Sequence, residues 1–186
     1  MGKRILLAGL AGGIVMFVWA SLAHIVLGLG SIGMAEIPNN EQPVLAALQT
    51  ALGGNSGLYM FPGMGREGMA DYQSKLDRNP SGLLLYHPAG AKAMEPRQLI
   101  IEFLTEVIEA ILAVFLLSRT RLTGFASRVG FVTLIGVVAS ITTNIPYWNW
   151  YGYPGSYTLA YLFTQTVDYL LVGVVAALTM KPQAAA

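Results

Sequence analysis

The stretch QLIIEFLTEVIEAILAVFLL, residues 98 to 117, decides how this chain folds. As a helix it is about 30 Å long, which matches the hydrocarbon core of a bilayer. It is apolar except for one stripe. Glu102, Glu106 and Glu109 stand at i, i+4 and i+7, and this spacing puts all three carboxylates on one face of a helix. The stretch therefore reads as a membrane helix with one acidic face turned away from lipid. A soluble helix would carry charge on its other faces as well.

Three further stretches support that choice, from Ile5 to Leu29, Val129 to Pro146 and Tyr157 to Met180. Each is apolar and long enough to cross the bilayer. Hydrophobic residues make up 54% of the chain and charged residues 11%, against roughly a quarter in an average soluble domain. The 186 residues suit a single domain. The expected fold is an all-α membrane protein: a four-transmembrane-helix bundle with a small mixed α/β extracytoplasmic subdomain inserted at residues 30–97. Met-Gly-Lys-Arg at the start resembles the head of a signal peptide, but the apolar run behind it is long for one, and it reads as an uncleaved first helix.

Basic residues near helix ends set the orientation. Lys3 and Arg4 precede the first helix, Arg119, Arg121 and Arg128 separate the second and third, and Lys181 follows the fourth. None of these segments holds an acid, so both termini are expected in the cytoplasm. The segment Tyr147 to Ser156 is uncharged and rich in Tyr and Trp, as at the outer membrane interface. A binding platform is the alternative reading of those aromatics.

In the inserted segment, Asn40 reads as a helix N-cap before Val44, Leu48, Ala51 and Leu52, and Gly53-Gly54 ends that helix. Residues 57–61 and 83–86 read as two short strands that pair as a ribbon, with a short helix from Glu67 to Leu76 between them. His87 is the only histidine here, beside a proline, as in an ordinary exposed loop.

Of ten acidic residues, four fall inside the predicted membrane helices: Glu102, Glu106, Glu109 and Asp168. No Lys or Arg is expected at their depth. A charge at the centre of a membrane helix costs at least ~2.5 to 3.5 kcal/mol, and such residues mark functional sites by default. Gln165 and Tyr161 share the face of Asp168. His24, Asn144, Thr142 and Thr143 fall in the outer halves of their helices. Facing inward, these residues form a polar shaft that stops near Glu109 and Asp168. The ligand- or proton-binding candidates are therefore Glu102, Glu106, Glu109, Asp168, His24, Asn144 and Gln165. Glu106, Glu109, Asp168 and His24 are the candidates for a metal.

Other chemistry is excluded or unsupported. There is no cysteine, which removes disulfides, thiolate metal sites and thiol nucleophiles. No basic stretch provides a nucleic-acid footprint. The Glu-x-x-His pairs of a di-metal carboxylate bundle are missing, and no motif requires a cofactor. Gly9 with Gly13, and Gly173 with Ala177, are small-residue pairs that allow close helix approach within the chain or in a homo-oligomer.

The stretches Phe17 to His24 (FVWASLAH), Gly57 to Gly63 (GLYMFPG) and Tyr147 to Pro154 (YWNWYGYP) together resemble a group of uncharacterised bacterial four-helix integral membrane proteins. The resemblance implies a bacterial cytoplasmic membrane and carries no activity. The layout is also similar to that of the claudins, but the cysteine pair of that family is lacking here. The leading expectation is a non-enzymatic accessory or structural component of a membrane assembly, whose carboxylates serve as glue between helices. Its partners would be the lipid bilayer and a second membrane protein or copy. The alternative is a cation, metal, proton or small-ligand binder or carrier that uses the intramembrane acids. A small membrane enzyme with Glu106 or Glu109 as base beside His24 ranks third, having no nucleophile motif behind it.

Overall fold

The computed structural model describes residues 2–66 and 68–181. It is mostly helical, and the chain divides into two compact units, Met1–Met34 with Met94–Ala186, and Ala35–Ala93. Within the first unit, α1 (Gly2–Ser21) is continued by a π turn, Leu22–Val26, and a short 3₁₀ turn, Leu29–Ser31. The others are α4 (Pro96–Ser118), α5 (Phe125–Tyr151) and α6 (Gly155–Thr179).

Three segments are long and apolar enough to cross a membrane: Gly2–Val26, Phe125–Tyr151 and Gly155–Thr179. The fourth long helix, α4, does not share that composition, because Glu102, Glu106 and Glu109 interrupt it. The expected count of four spanning helices is thus matched by composition in three.

Packing in this unit runs α4 against α1, α1 against α6 and α6 against α5, with sparser contacts from α4 to α5 and α6. Glycine makes the first contact possible. A Cβ on Gly9 would stand 2.7 Å from Ile111 Cα, and one on Gly13 2.6 Å from Val107 Cα. Gly173 meets the backbone of Val129 on α5 in the same way. These small residues serve packing within the chain, so the homo-oligomer role considered for them is not needed to explain them. Phe17 and Phe103 add an edge-on ring contact between α1 and α4. The core holds Ala8, Met16, Ala110, Val114, Val132 and Val172.

Helix ends depart from the sequence expectation at α5. The apolar run stops at Pro146, but the helix continues to Tyr151 and ends at Gly152, whose φ of 71° suits a glycine C-cap. Proline is tolerated inside membrane helices because neighbouring groups re-satisfy the freed backbone. Tyr147 to Tyr151 are therefore helical and not loop. At its other end α5 starts at Phe125, which places Arg128 in the first turn, although it was expected in the connecting loop. Arg128 is buried and donates to the carbonyls of Ala176, Ala177 and Met180. The last carbonyls of a helix have no partner of their own and carry its negative pole. Arg128 satisfies two of them, Ala177 O and Met180 O, and adds a second donor to Ala176 O, which already accepts from the Met180 N–H.

In the second unit, α2 (Gln42–Leu52) carries Pro43 in its first turn, where the missing N–H costs nothing. Asn40 Oδ1 accepts from the Gln42 N–H at 3.2 Å, though Glu41 and not Asn40 is the capping residue. Strands β1 (Gly57–Phe61) and β2 (Gly82–Tyr86) pair antiparallel, from Gly57 opposite Tyr86 to Phe61 opposite Gly82. The helix α3 (Met69–Leu76) lies between them in sequence. Glu67, expected at the head of that helix, lies outside the described residues. Tyr86 is the buried centre of this unit, and its hydroxyl donates to Gly53 O at 2.9 Å.

Replacing Gly13 by Ala will drive a methyl into the α4 backbone and cost about 1–3 kcal/mol, the usual range for overpacking. Gly130→Ala, with nothing within 4 Å of the new Cβ, will be neutral or stabilising. Thermal unfolding of the two variants in the same detergent checks the difference.

Candidate functional site

Glutamate side chains reach the interior from α4 because of how that helix begins. Glu95 and Gln98 form a capping box, with the Glu95 N–H donating to Gln98 Oε1 at 2.8 Å. From that start the apolar residues Ile101, Leu104, Ile108, Leu112 and Phe115 recur at helical spacing on an outward stripe. The acidic face is then turned toward the neighbouring helices to different degrees. Glu102 is exposed, Glu106 is 5% exposed and Glu109 is half-buried.

Across from α4, Asp168 on α6 is also only 5% exposed. Asp168, Glu102 and Glu109 all lie within charge-interaction range of Glu106. Glycine helps to close this level: a Cβ on Gly12 of α1 would touch Val172 at 3.3 Å and Ala110 at 3.6 Å. Glu106 Oε2 and Asp168 Oδ1 have no hydrogen-bond partner. A buried polar atom without a partner costs roughly 1–3 kcal/mol, and more when charged. The two helices thus present two unsatisfied carboxylate oxygens to the interior.

The other polar residues are satisfied. Tyr169 Oη donates to Glu109 Oε2 at 3.3 Å, which ties α6 to α4. Asn144 Nδ2 donates to Gln165 Oε1 at 2.9 Å, which ties α5 to α6, and also to Ser140 O at 2.9 Å. Thr143 Oγ1 lies 3.4 Å from the same Gln165 oxygen. Glu109, Asn144 and Gln165 therefore make the interhelical bonds expected of structural polar groups.

His24 does not line the interior. It is exposed, in the π turn that follows α1. Its Nδ1 lies 2.9 Å from Ala20 O, and since a carbonyl only accepts, Nδ1 carries the proton. The ring packs edge-on against Tyr161, with centroids 5.7 Å apart. From Tyr161 the ring contacts continue through Tyr157 and Tyr153 to Tyr147. The π turn carries His24 and sets its ring beside Tyr161, on the face of α6 that also bears Gln165.

The metal set proposed from sequence is likewise not assembled. Among the described residues no group of three or more His, Asp or Glu side chains could hold a metal ion. His24 belongs to the string of rings, and Glu109 is engaged by Tyr169. What remains of the candidate cluster is Glu106 with Asp168, flanked by Glu102 and Glu109. Tyr169, which bonds to the cluster, stands at i+4 from Gln165, so helical spacing placed it on the same face; its signal was there in the sequence beside Asp168.

No protein-family model, curated protein or solved structure matches this chain. Its residues carry the functional argument.

A double-mutant cycle on Tyr169→Phe and Glu109→Gln will give a coupling of about 0.6 kcal/mol and no more than ~1.7, the range for hydrogen bonds between membrane helices. Unfolding free energies of the two single variants and the double variant in bicelles measure it.

Proposed function

We propose that this chain is a non-enzymatic four-pass membrane protein that takes up a proton at Glu106 and Asp168. The observation behind this reading is the pair of buried carboxylate oxygens, Glu106 Oε2 and Asp168 Oδ1, without hydrogen-bond partners. Acids acting purely as glue would be satisfied, as Glu109 is by Tyr169. Two buried carboxylates that feel each other's charge do not both stay ionised, because desolvation and mutual repulsion both oppose it. One proton relieves both and needs no larger set of ligands. A metal ion would want three or more donors, which no group of His, Asp and Glu supplies among the described residues.

The four-pass reading rests on α4. Its outward stripe of Ile101, Leu104, Ile108, Leu112 and Phe115 is apolar throughout, Glu106 is covered, Glu109 is half-buried, and the exposed Glu102 stands near the start of the helix. A helix with the acids of its middle turns covered or half-covered and its aliphatic side chains exposed suits lipid and not water. The basic residues Lys3, Arg4, Arg119, Arg121 and Lys181 favour cytoplasmic termini, with α4 entering from the outer side. The resemblance in residues 17–24, 57–63 and 147–154 favours a bacterial cytoplasmic membrane.

The test is an infrared titration of the protein in nanodiscs, following the carboxyl C=O band from about pH 4 to 9, a range that brackets ordinary and buried carboxyl groups. A titrating buried-acid band that disappears in both Glu106→Gln and Asp168→Asn, and persists in Glu109→Gln, is expected. A band that ignores both substitutions would overturn the reading. A band that responds to Na⁺ or K⁺ at fixed pH would assign the pair to an inorganic cation instead.

A further inference from the structure

The two directions of approach to Glu106 and Asp168 differ in character. Toward the start of α4, Glu102 is exposed and lies one turn from Glu106, within charge-interaction range of it. Toward the end of α4 the interior is lined by covered apolar side chains. Ala113, Val114, Leu117, Val132, Val172 and Ala176 are each 3% exposed or less, and all are apolar. Behind them stands Arg128, whose guanidinium is committed to the terminal carbonyls of α6. A proton moves between groups within hydrogen-bond reach or through one water, and the apolar layer offers neither. A cation beyond that layer opposes proton entry from that end as well.

Resting on the proton reading of the pair, we propose that Glu106 and Asp168 exchange protons through Glu102 from one membrane face only, so that the protein registers pH on that face and conducts no protons. The ionisable groups around the pair fit this assignment. Glu102 and Glu109 flank Glu106 on α4, and Tyr169 follows Asp168 on α6 and is bound to Glu109. The ionisable residues of α1, namely Lys3, Arg4 and His24, lie toward its two ends, and α5 contributes Arg128 in its first turn. Glu102 is thus the acid that links the pair to solvent. It acts as a positioning residue for proton entry, not as a holder of the bound proton. Under the four-pass reading the sensed face is the outer one.

Proteoliposomes sorted by orientation, through a protease-accessible tag at the N-terminus, test this. A rapid pH jump is applied outside the vesicles while the carboxyl infrared band and an entrapped pH dye are followed together. The band is expected to respond quickly only when the start of α4 faces the jump, with no change in the dye beyond that of lipid-only vesicles. Glu102→Gln is expected to slow the response at least tenfold and to leave its final amplitude unchanged, a separation of rate from equilibrium that a merely structural role would not produce. Dye acidification above the lipid control, or an equally fast response in both orientations, would overturn the sealing of the Arg128 end. An unchanged rate in Glu102→Gln would overturn the entry route. A band absent from the wild-type protein at every pH would instead reject the proton reading, so the two failures are distinguishable.

Discussion

Three carboxylates on one apolar helix impose the constraint on which the arrangement of this protein depends. The rotation of α4 covers Glu106, half-buries Glu109 and leaves the apolar line from Ile101 to Phe115 exposed. That rotation brings the backbone of α4 at Val107 and Ile111 against α1. The approach is close enough that α1 must carry glycine at positions 9 and 13. It also points Glu106 at α6, which answers with Asp168 and Tyr169. The core beyond is filled by small and branched aliphatic residues. The acids therefore organise the packing whatever they bind.

Two kinds of polar contact result, and they differ in what they contribute. The Tyr169–Glu109 and Asn144–Gln165 bonds close on themselves, and each ties one helix to the next. The Glu106–Asp168 pair does not close with the groups the chain supplies. In a low-dielectric interior a satisfied network rigidifies, and an unsatisfied one stays open to whatever supplies the missing charge or hydrogen. On α4 the two kinds stand one turn apart, at Glu109 and Glu106. The rigid contacts hold the helices in place while the open pair can change state.

Much of this could be read from the sequence because it rests on periodicity. The i, i+4, i+7 spacing of Glu102, Glu106 and Glu109 gave their common face, and the paired strands at 57–61 and 82–86 followed from turn residues that bracket short apolar runs. Periodicity failed where the helix itself is irregular or where a long side chain crosses between elements. His24 lies in a π turn, exposed and against Tyr161, where ideal helical spacing does not apply. Pro146 did not end α5, since a neighbouring bundle tolerates the lost backbone bond. Arg128 reads as a loop charge in one dimension, and only the three-dimensional arrangement shows the bare end of α6 within its reach. Which acids would be satisfied and which left open was equally invisible, because helical spacing puts Tyr169 and Asp168 on one broad face with Gln165 and does not say which acid of α4 the Tyr169 hydroxyl reaches.

The π turn at the end of α1 has a further consequence. Its backbone bond runs from the Leu27 N–H to Leu22 O, five residues back where an α-helix would reach four. One residue is therefore accommodated as a local bulge, and the register of Gly9, Gly12 and Gly13 below it is untouched. The chain beyond it packs on α6, with Gly33 against Tyr157, so the bulge lets α1 keep its glycine contacts with α4 while its tail meets α6.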